Sequence, residues 1–95
     1  HIHADKVFLS TQGVNDLGEL TVPEMTDAHV KQALMRAGRQ KILLADRSKF
    51  GQTFLAGHGR LADFDLVISQ TGLPPDTLSL MKTQSVPLLL ADSHL

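Results

Sequence analysis

The chain has 95 residues, no cysteine, and nine Lys and Arg against ten Asp and Glu, which gives a formal net charge of -1. This length allows one domain with a single core. The balanced charge lacks the basic stripe of a duplex-binding protein. The absence of cysteine excludes disulfides and thiolate sites and favours a cytoplasmic protein. The apolar runs are far shorter than the ~20 residues that cross a bilayer, so we expect no membrane partner.

The first part of the chain predicts a strand, a loop and a helix. KVFLS (6–10) is a short apolar run of strand formers, and the polar loop after it contains Gly13 and Gly18 and leads into ELT. Pro23, an acidic first turn and apolar residues at helical spacing predict a helix over about 24–37. Because a strand starts within a few residues of the first residue given, we expect the chain to be a piece of a longer protein.

The rest of the chain alternates in the same way. Apolar runs predict strands at KILLAD (41–46), QTFLAGHG (52–59), DLVIS (65–69) and PLLLAD (87–92), and a short helix is predicted at PPDTLSLMKTQ (74–84). The continuous run at 41–46 is typical of a strand covered on both faces. The alternation predicts an α/β fold, a three-layer sandwich with a mostly parallel sheet, and we expect the four phenylalanines in its core.

Polar residues follow three of these strands, and in open parallel sheets ligands collect beyond the carboxyl ends of the strands. If these ends lie side by side, one set of polar side chains converges: Thr11, Gln12, Asn15, Asp46, Ser48, Lys49 and Gln70. The ammonium of Lys49 offers three donors and a full charge to a phosphate. Each residue also has a simpler explanation, with Lys49 as a solvated lysine, Asp46 as a strand-end cap and Ser48 as a hydroxyl that holds a turn.

Four stretches carry a resemblance to a known family: ADKVFLSTQGV, a helix containing HVKQALM, KILLADRSKFG, and RLADFDLVISQTGLP. In this order they resemble the effector-sensing domain of DeoR-family bacterial transcriptional regulators. The combination of ADxSKFG with LxDFDxxIS is the specific part, and the similarity covers almost the whole chain.

The resemblance implies a function and a larger protein. In that family an N-terminal winged helix-turn-helix domain binds operator DNA, and the sensor domain binds a phosphorylated sugar or related metabolite, which usually relieves repression. Residues 1–95 would then be the later part of the sensor domain of a dimer or tetramer, and operator DNA would be bound only by the absent N-terminal domain. The family's loop that helps to cradle phosphate has no counterpart here, and neither GxGxxG nor a P-loop motif occurs.

The sensor domain is in turn similar in fold to ribose-5-phosphate isomerase, whose DGAD motif supplies two acids for proton transfer. The corresponding residues here are QGVN (12–15), and the amides of Gln12 and Asn15 cannot act as a general acid or base at neutral pH. The isomerase's DESK motif keeps its Asp, Ser and Lys in DRSK (46–49). The chain thus keeps the groups that would bind a ligand and lacks the acids that would catalyse the reaction. This pattern predicts a sensor that is not an enzyme.

Two pairs of residues stay open between ligand site and scaffold. Gln12 and Asn15 either contact a ligand or bond within their loop. Asp27 and Lys31 stand four residues apart on the predicted helix, so they form either an i,i+4 pair worth roughly 0.2–0.5 kcal/mol or part of the site, because the family tends to have an acid and a lysine here. The five histidines are scattered without the spacing of a metal site, and no cofactor is expected.

The sequence therefore predicts the effector-binding domain of a bacterial transcriptional repressor that senses a phosphorylated sugar. The predicted ligand-binding residues are Asp46, Lys49, Ser48, Gln12, Asn15, Asp27 and Lys31. One alternative is a sugar-phosphate isomerase-like enzyme, which the amides at positions 12 and 15 disfavour. Another is an oligomerising module without a ligand, which would require Asp46 and Lys49 to point apart or to pack against protein.

Overall fold

The computed structural model describes residues 4–92, which form a four-stranded parallel sheet and a three-stranded antiparallel sheet. The strands are β1 (Ala4–Ser10), β2 (Gly13–Val14), β3 (Glu19–Val22), β4 (Gly38–Leu44), β5 (Ala56–Arg60), β6 (Leu66–Ser69) and β7 (Leu88–Leu90), and the helices are α1 (Met25–Ala37) and α2 (Pro75–Thr83). The parallel sheet has the order β1-β4-β6-β7 and the antiparallel sheet the order β2-β3-β5. The predicted α/β class with a mostly parallel sheet is confirmed. His1, His3 and His94 of the scattered histidines lie outside the described residues.

Both predicted helices are present. Helix α1 begins one residue after the predicted start and ends at the predicted residue, with Asp27 in its first turn and Arg36 in its last, where each charge complements the helix dipole. Only part of its apolar pattern is packed, because Ala28 is buried while Met25 and Leu34 are exposed. None of the helices in the described part of the chain has the length and apolar character needed to cross a membrane.

The core fills the space between one face of the parallel sheet, the antiparallel sheet and α2. Leu9, Leu43 and Val67 stand in register across β1, β4 and β6. They belong to one buried cluster with Leu20 of β3 and Met81 of α2. Each fully buried side chain of this size contributes about 1.5–3 kcal/mol relative to an exposed one, so this row holds the two sheets together.

The opposite face of the parallel sheet is apolar and open within residues 4–92. Phe8 is 56% exposed, Leu44 43% and Leu89 51%, and Leu44 lies in register with Ile68, which in turn pairs with Leu89. The prediction that the strand at 41–46 is covered on both faces holds at Ile42, which points to this face and is 8% exposed, but is wrong at Leu44, which is open within the described residues. Side chains alternate between the faces of a strand, so the next residue after buried Leu43 points to the uncovered side.

The same alternation corrects the expected core positions of the phenylalanines. Phe50 and Phe64 are buried as predicted, whereas Phe8 points to the open sheet face and Phe54 is also exposed. Phe54 precedes β5 and lies beside Thr21. The backbone N–H of Phe54 donates a hydrogen bond to the Thr21 hydroxyl.

The antiparallel sheet was not predicted. The polar loop expected after the first strand contains β2, ELT belongs to β3, and the run expected at 52–59 forms a strand only from Ala56 onward. Strand β4 also differs from its predicted range, because it begins at Gly38 and ends before Asp46. The two-residue strand β2 is held by its pairing with β3, and β3 pairs with β5 far along the chain, so local patterns do not reveal either contact.

The two faces of β4 predict unequal costs for two adjacent substitutions. Leu43→Ala removes a fully buried side chain and should lower the free energy of unfolding of the 95-residue chain by about 2–5 kcal/mol. Leu44→Ala removes a side chain from the open face and should cost less than about 1 kcal/mol. Urea denaturation followed by circular dichroism measures both, and equal losses would show that the second face is packed.

Candidate functional site

The carboxyl ends of the four parallel strands meet at one edge of the larger sheet. Ser10 at the end of β1 is in register with Leu44 at the end of β4, which pairs with Ile68 of β6. The loops that follow β1 and β4 also touch, because Val14 forms a bridge with Phe50. The sheet therefore brings together the polar segments that follow the strands in the sequence.

The DRSKFG segment after β4 forms a turn that its own side chains stabilise. Residues Arg47–Lys49 form one turn of 3₁₀ helix, and the carboxylate of Asp46 caps it by accepting hydrogen bonds from the backbone N–H of Ser48 (2.9 Å) and from the Ser48 hydroxyl. Phe50 is buried in the core. Gly51 has a φ of +93°, a conformation that favours glycine, and its N–H donates to the carbonyl of Val14 at 2.8 Å.

The contacts within this turn keep Asp46 ionised at this edge of the sheet. The hydroxyl of Ser48 holds the pKa of Asp46 below its usual range, with smaller contributions from its backbone N–H and from the cations of Lys49 and Arg47. Asp46 is therefore a carboxylate at neutral pH. Lys49 is half-buried, and its ammonium enters none of the ion pairs formed within residues 4–92, so its charge is available to an external anion.

Two further loops close the edge on the side of β6 and β7. The backbone N–H of Arg47 donates to the side-chain oxygen of Gln70 at 3.2 Å, and its guanidinium donates to the carbonyl of Thr71. The N–H and hydroxyl of Thr71 both donate to the carboxylate of Asp92, and the hydroxyl bond lowers the pKa of that acid. Gln70 thus lies at the predicted edge, where its side-chain oxygen braces the DRSK turn.

A groove of about 350 Å³ lies beside the end of β1 and is lined by Gln12, Pro23, Glu24 and Asp27. The ammonium of Lys31 lies 3.7 Å from the carboxylate of Asp27, and the Lys31 side chain is only 13% exposed. A lysine so little exposed is uncommon at a solvated surface. The structure therefore places Gln12, Asp27 and Lys31 together.

Asn15 is not in this groove. Its side-chain oxygen accepts hydrogen bonds from the N–H groups of Leu17 and Glu19, and its amide nitrogen donates to the carboxylate of Glu19 at 2.9 Å. The side chain braces the turn between β2 and β3. Its predicted contact with a ligand stays a prediction, and the bonds inside the loop agree with the simpler explanation.

Gly13 lets the loop after β1 approach the loop after β4. A Cβ atom built at this position would lie 2.4 Å from the carbonyl oxygen of Gln52 and 3.0 Å from the hydroxyl of Thr21. No side chain fits in that space without moving the backbone, so the contact between the two loops requires glycine.

The sequence pattern around His58 predicts no functional role for it, but the structure buries its side chain. Its imidazole is 5% exposed, and its Nε2 lies 2.8 Å from the hydroxyl of Thr11. Burial lowers the pKa of the ring, and the nearby charge of Lys31 lowers it further, so the ring is neutral at pH 7. No local pattern reveals this contact, because the two partners are 47 residues apart in the chain.

The edge as a whole offers cations, amides and carboxylates. Such groups bind a small polar ligand through charge and hydrogen bonds. The fold is that of an α/β domain with polar loops at the carboxyl ends of its parallel strands. The sequence profile of the DeoR C-terminal sensor domain matches residues 1–71, and the chain belongs to this family of sensor domains of transcriptional regulators.

Related regulators agree with this assignment. The HTH-type transcriptional regulator YgbI of Escherichia coli (strain K12) is 34% identical over 92 residues, which are 95% of this chain and 35% of that protein. The HTH-type transcriptional repressor GlcR of Bacillus subtilis (strain 168) is 31% identical over 91 residues, 95% of this chain and 34% of its own length. The HTH-type transcriptional regulator GlpR of Haloferax volcanii is 26% identical over 85 residues, 90% of this chain and 33% of its own. The chain spans about a third of the length of the curated relatives it matches.

The bonds of Asn15 predict a loss of stability on its substitution. Asn15→Ala leaves the N–H groups of Leu17 and Glu19 without their acceptor and should lower the free energy of unfolding by about 1–2 kcal/mol. Asp16→Ala, at the exposed neighbouring position, should change it by less than about 0.5 kcal/mol. Thermal and urea denaturation of the two variants test this, and equal stabilities would mean that the brace contributes nothing.

Proposed function

We propose that this chain is the part of a bacterial transcriptional repressor that binds a phosphorylated sugar as effector. The observation that carries the proposal is the cation Lys49 beside the ionised carboxylate of Asp46 in the turn after β4. A second cation, Lys31, lies next to Asp27 in the groove that Gln12 also lines. A sugar phosphate needs both kinds of group, because its phosphate takes charge-assisted hydrogen bonds and its hydroxyls take neutral or anionic acceptors.

The proposal divides the site between the two loops. Gln12 and Asp27, which line the same groove, can each accept a hydrogen bond from a sugar hydroxyl, and Lys31 adds a positive charge close to Asp27. Lys49 supplies a second cation from the loop after β4, beside ionised Asp46. An anionic ligand that touches both loops would link β1, α1 and β4 to one another.

The arrangement favours binding over catalysis. Isomerisation of a sugar phosphate requires a group that can take and return a proton near neutral pH. The segment after β1 carries the amides of Gln12 and Asn15 at the positions expected for such acids. Asp46, whose pKa lies below its usual range, is a poor proton donor at pH 7. The relatives are named as transcriptional regulators and a repressor.

The remainder of the proposal concerns the whole protein. Residues 1–95 form the later part of one sensor domain, and a separate N-terminal winged helix-turn-helix domain binds operator DNA. The protein works in the cytoplasm as a dimer or tetramer. Effector binding changes how the subunits are arranged and so the spacing of the DNA-binding domains. The relatives are HTH-type regulators about three times as long as this chain, which supports this organisation.

An oligomerising module without a ligand has less support. It requires Asp46 and Lys49 to point apart or to be packed against protein. Asp46 is exposed, and the charge of Lys49 acts on its carboxylate, so the two groups lie close together at the surface.

The first test of this function removes the lysine of the DRSK turn. In the full-length regulator, Lys49→Ala should leave operator binding intact and raise the effector concentration needed for release roughly ten- to a hundredfold, because a charge-assisted contact is lost. Lys82→Ala, at an exposed lysine of α2, is the control and should behave like the wild type. Fluorescence anisotropy of labelled operator DNA measures both effects, after a thermal-shift screen of sugar phosphates has identified the effector.

Two results would contradict a ligand role for Lys49. A well-folded variant that releases operator at the normal effector concentration would place the site elsewhere. A variant that loses thermal stability and operator affinity together would show that Lys49 is structural.

A second test concerns catalysis. The full-length protein should give no turnover of ribose 5-phosphate or glucose 6-phosphate in a coupled isomerase assay, because no residue at positions 12–15 holds a transferable proton. A genuine isomerase run in parallel confirms that the assay works. Turnover that disappears with Asp46→Asn would overturn the assignment as a sensor without enzymatic activity.

A further inference from the structure

The hydroxyl of Thr11 is the meeting point of four segments. Its oxygen lies 2.8 Å from His58 Nε2 on β5, 3.1 Å from the carbonyl oxygen of Thr21 on β3 and 3.3 Å from that of Gly13 on β2. Thr11 itself directly follows β1, the first strand of the parallel sheet. This cluster, made of Thr11, His58 and the two carbonyls, is buried and joins the two sheets.

The donors and acceptors of this cluster determine the state of the imidazole. A hydroxyl has one hydrogen, and a carbonyl only accepts. The Thr11 hydrogen must therefore go to a carbonyl, since otherwise three acceptors would face one another. His58 then donates its Nε2–H to Thr11. The other ring nitrogen, Nδ1, is buried and has no hydrogen-bond partner within residues 4–92, as expected for an unprotonated nitrogen that no donor approaches.

This bond lies directly next to a proposed ligand residue. Gln12 stands between Thr11, which the imidazole fixes, and Gly13, which is pressed against the carbonyl of Gln52. His58 is linked to the groove that Gln12 and Asp27 line through its bond to Thr11, the residue before Gln12. The imidazole can therefore act on Gln12, the one exposed residue of the 11–14 segment, through the backbone of Thr11.

We propose that His58 is a positioning residue for the effector site. Its Nε2–H holds Thr11, and Thr11 fixes the backbone that carries Gln12 beside Asp27 and Lys31. The importance of this position for ligand affinity rests on the proposed function, whereas the effect on the Gln12 backbone does not.

Two pairs of variants separate the hydrogen bond from simple packing. His58→Phe keeps a ring but loses the donor, while His58→Gln keeps an N–H donor at a similar distance from the backbone. Thr11→Val keeps the shape of the side chain but loses the hydroxyl, while Thr11→Ser keeps the hydroxyl. His29→Phe, at an exposed histidine of α1, is the control for the loss of an imidazole.

The first measurement needs no ligand. Hydrogen–deuterium exchange of residues 9–15 in the full-length protein should be about tenfold faster in His58→Phe and Thr11→Val than in the wild type. It should stay within about threefold in His58→Gln, Thr11→Ser and His29→Phe. Nitrogen NMR of the His58 ring should show the Nε2–H form. The Nδ1–H form, or unchanged exchange in a folded His58→Phe, would overturn the proposal.

The second measurement uses calorimetry with ribose 5-phosphate and glucose 6-phosphate, and with inorganic phosphate for comparison. The two variants that lose the bond should bind the active sugar phosphate about tenfold more weakly, and His58→Gln and Thr11→Ser should restore the affinity. Equal weakening in all four variants, in step with their melting temperatures, would show a merely structural role and overturn the proposal. Absence of binding by the wild type to every sugar phosphate of the thermal-shift screen, with the expected exchange pattern, would refute the proposed function but support the positioning role of His58.

Discussion

The parallel pairing of β1 with β4 is the constraint on which the rest of the molecule depends. It aligns Ala4–Ser10 with Gly38–Leu44 residue by residue, which puts Leu9 and Leu43 in the same buried row. It also brings the ends of the two strands to one edge, so that the loops after them can touch. A slip of one strand by one residue would turn its leucine toward the open face and would shift its loop by about 3.3 Å relative to the other. Core and candidate site are therefore fixed by the same register.

The DRSKFG segment shows how a sequence motif divides its work between structure and binding. Asp46 and Ser48 bond to each other and close the turn, while Phe50 and Gly51 attach it to the core and to β2. These contacts hold Lys49 at the surface, while its own ammonium takes part in none of them. Most of a motif that resembles a binding signature is thus scaffold, and it is the scaffold that gives the remaining lysine a defined position.

Features that depend on neighbouring residues could be predicted from the sequence, whereas features that depend on contacts between distant segments could not. The helix at 24–37 and the strand at 65–69 follow from local spacing, and the structure contains both nearly as predicted. Strands β2 and β5 are short and contain three of the seven glycines. Contacts with distant segments such as β3 hold them, and no periodicity predicts such contacts. The bond between Thr11 and His58 is determined in the same way, by contact between distant segments. Burial on one face of β4 could not be read from a continuous apolar run, because such a run does not say which neighbours cover it.

The open face of the parallel sheet has a consequence for engineering. Use of these 95 residues as an isolated biosensor module would expose an apolar surface that includes Phe8, Leu44 and Leu89. Surfaces of this kind promote aggregation. The period of two along a strand offers a remedy. Alternate positions can be made polar while Leu9, Leu43 and Val67 are kept, since those side chains point to the other side. The surface that limits the solubility of such a module can thus be redesigned separately from the edge that would recognise the analyte.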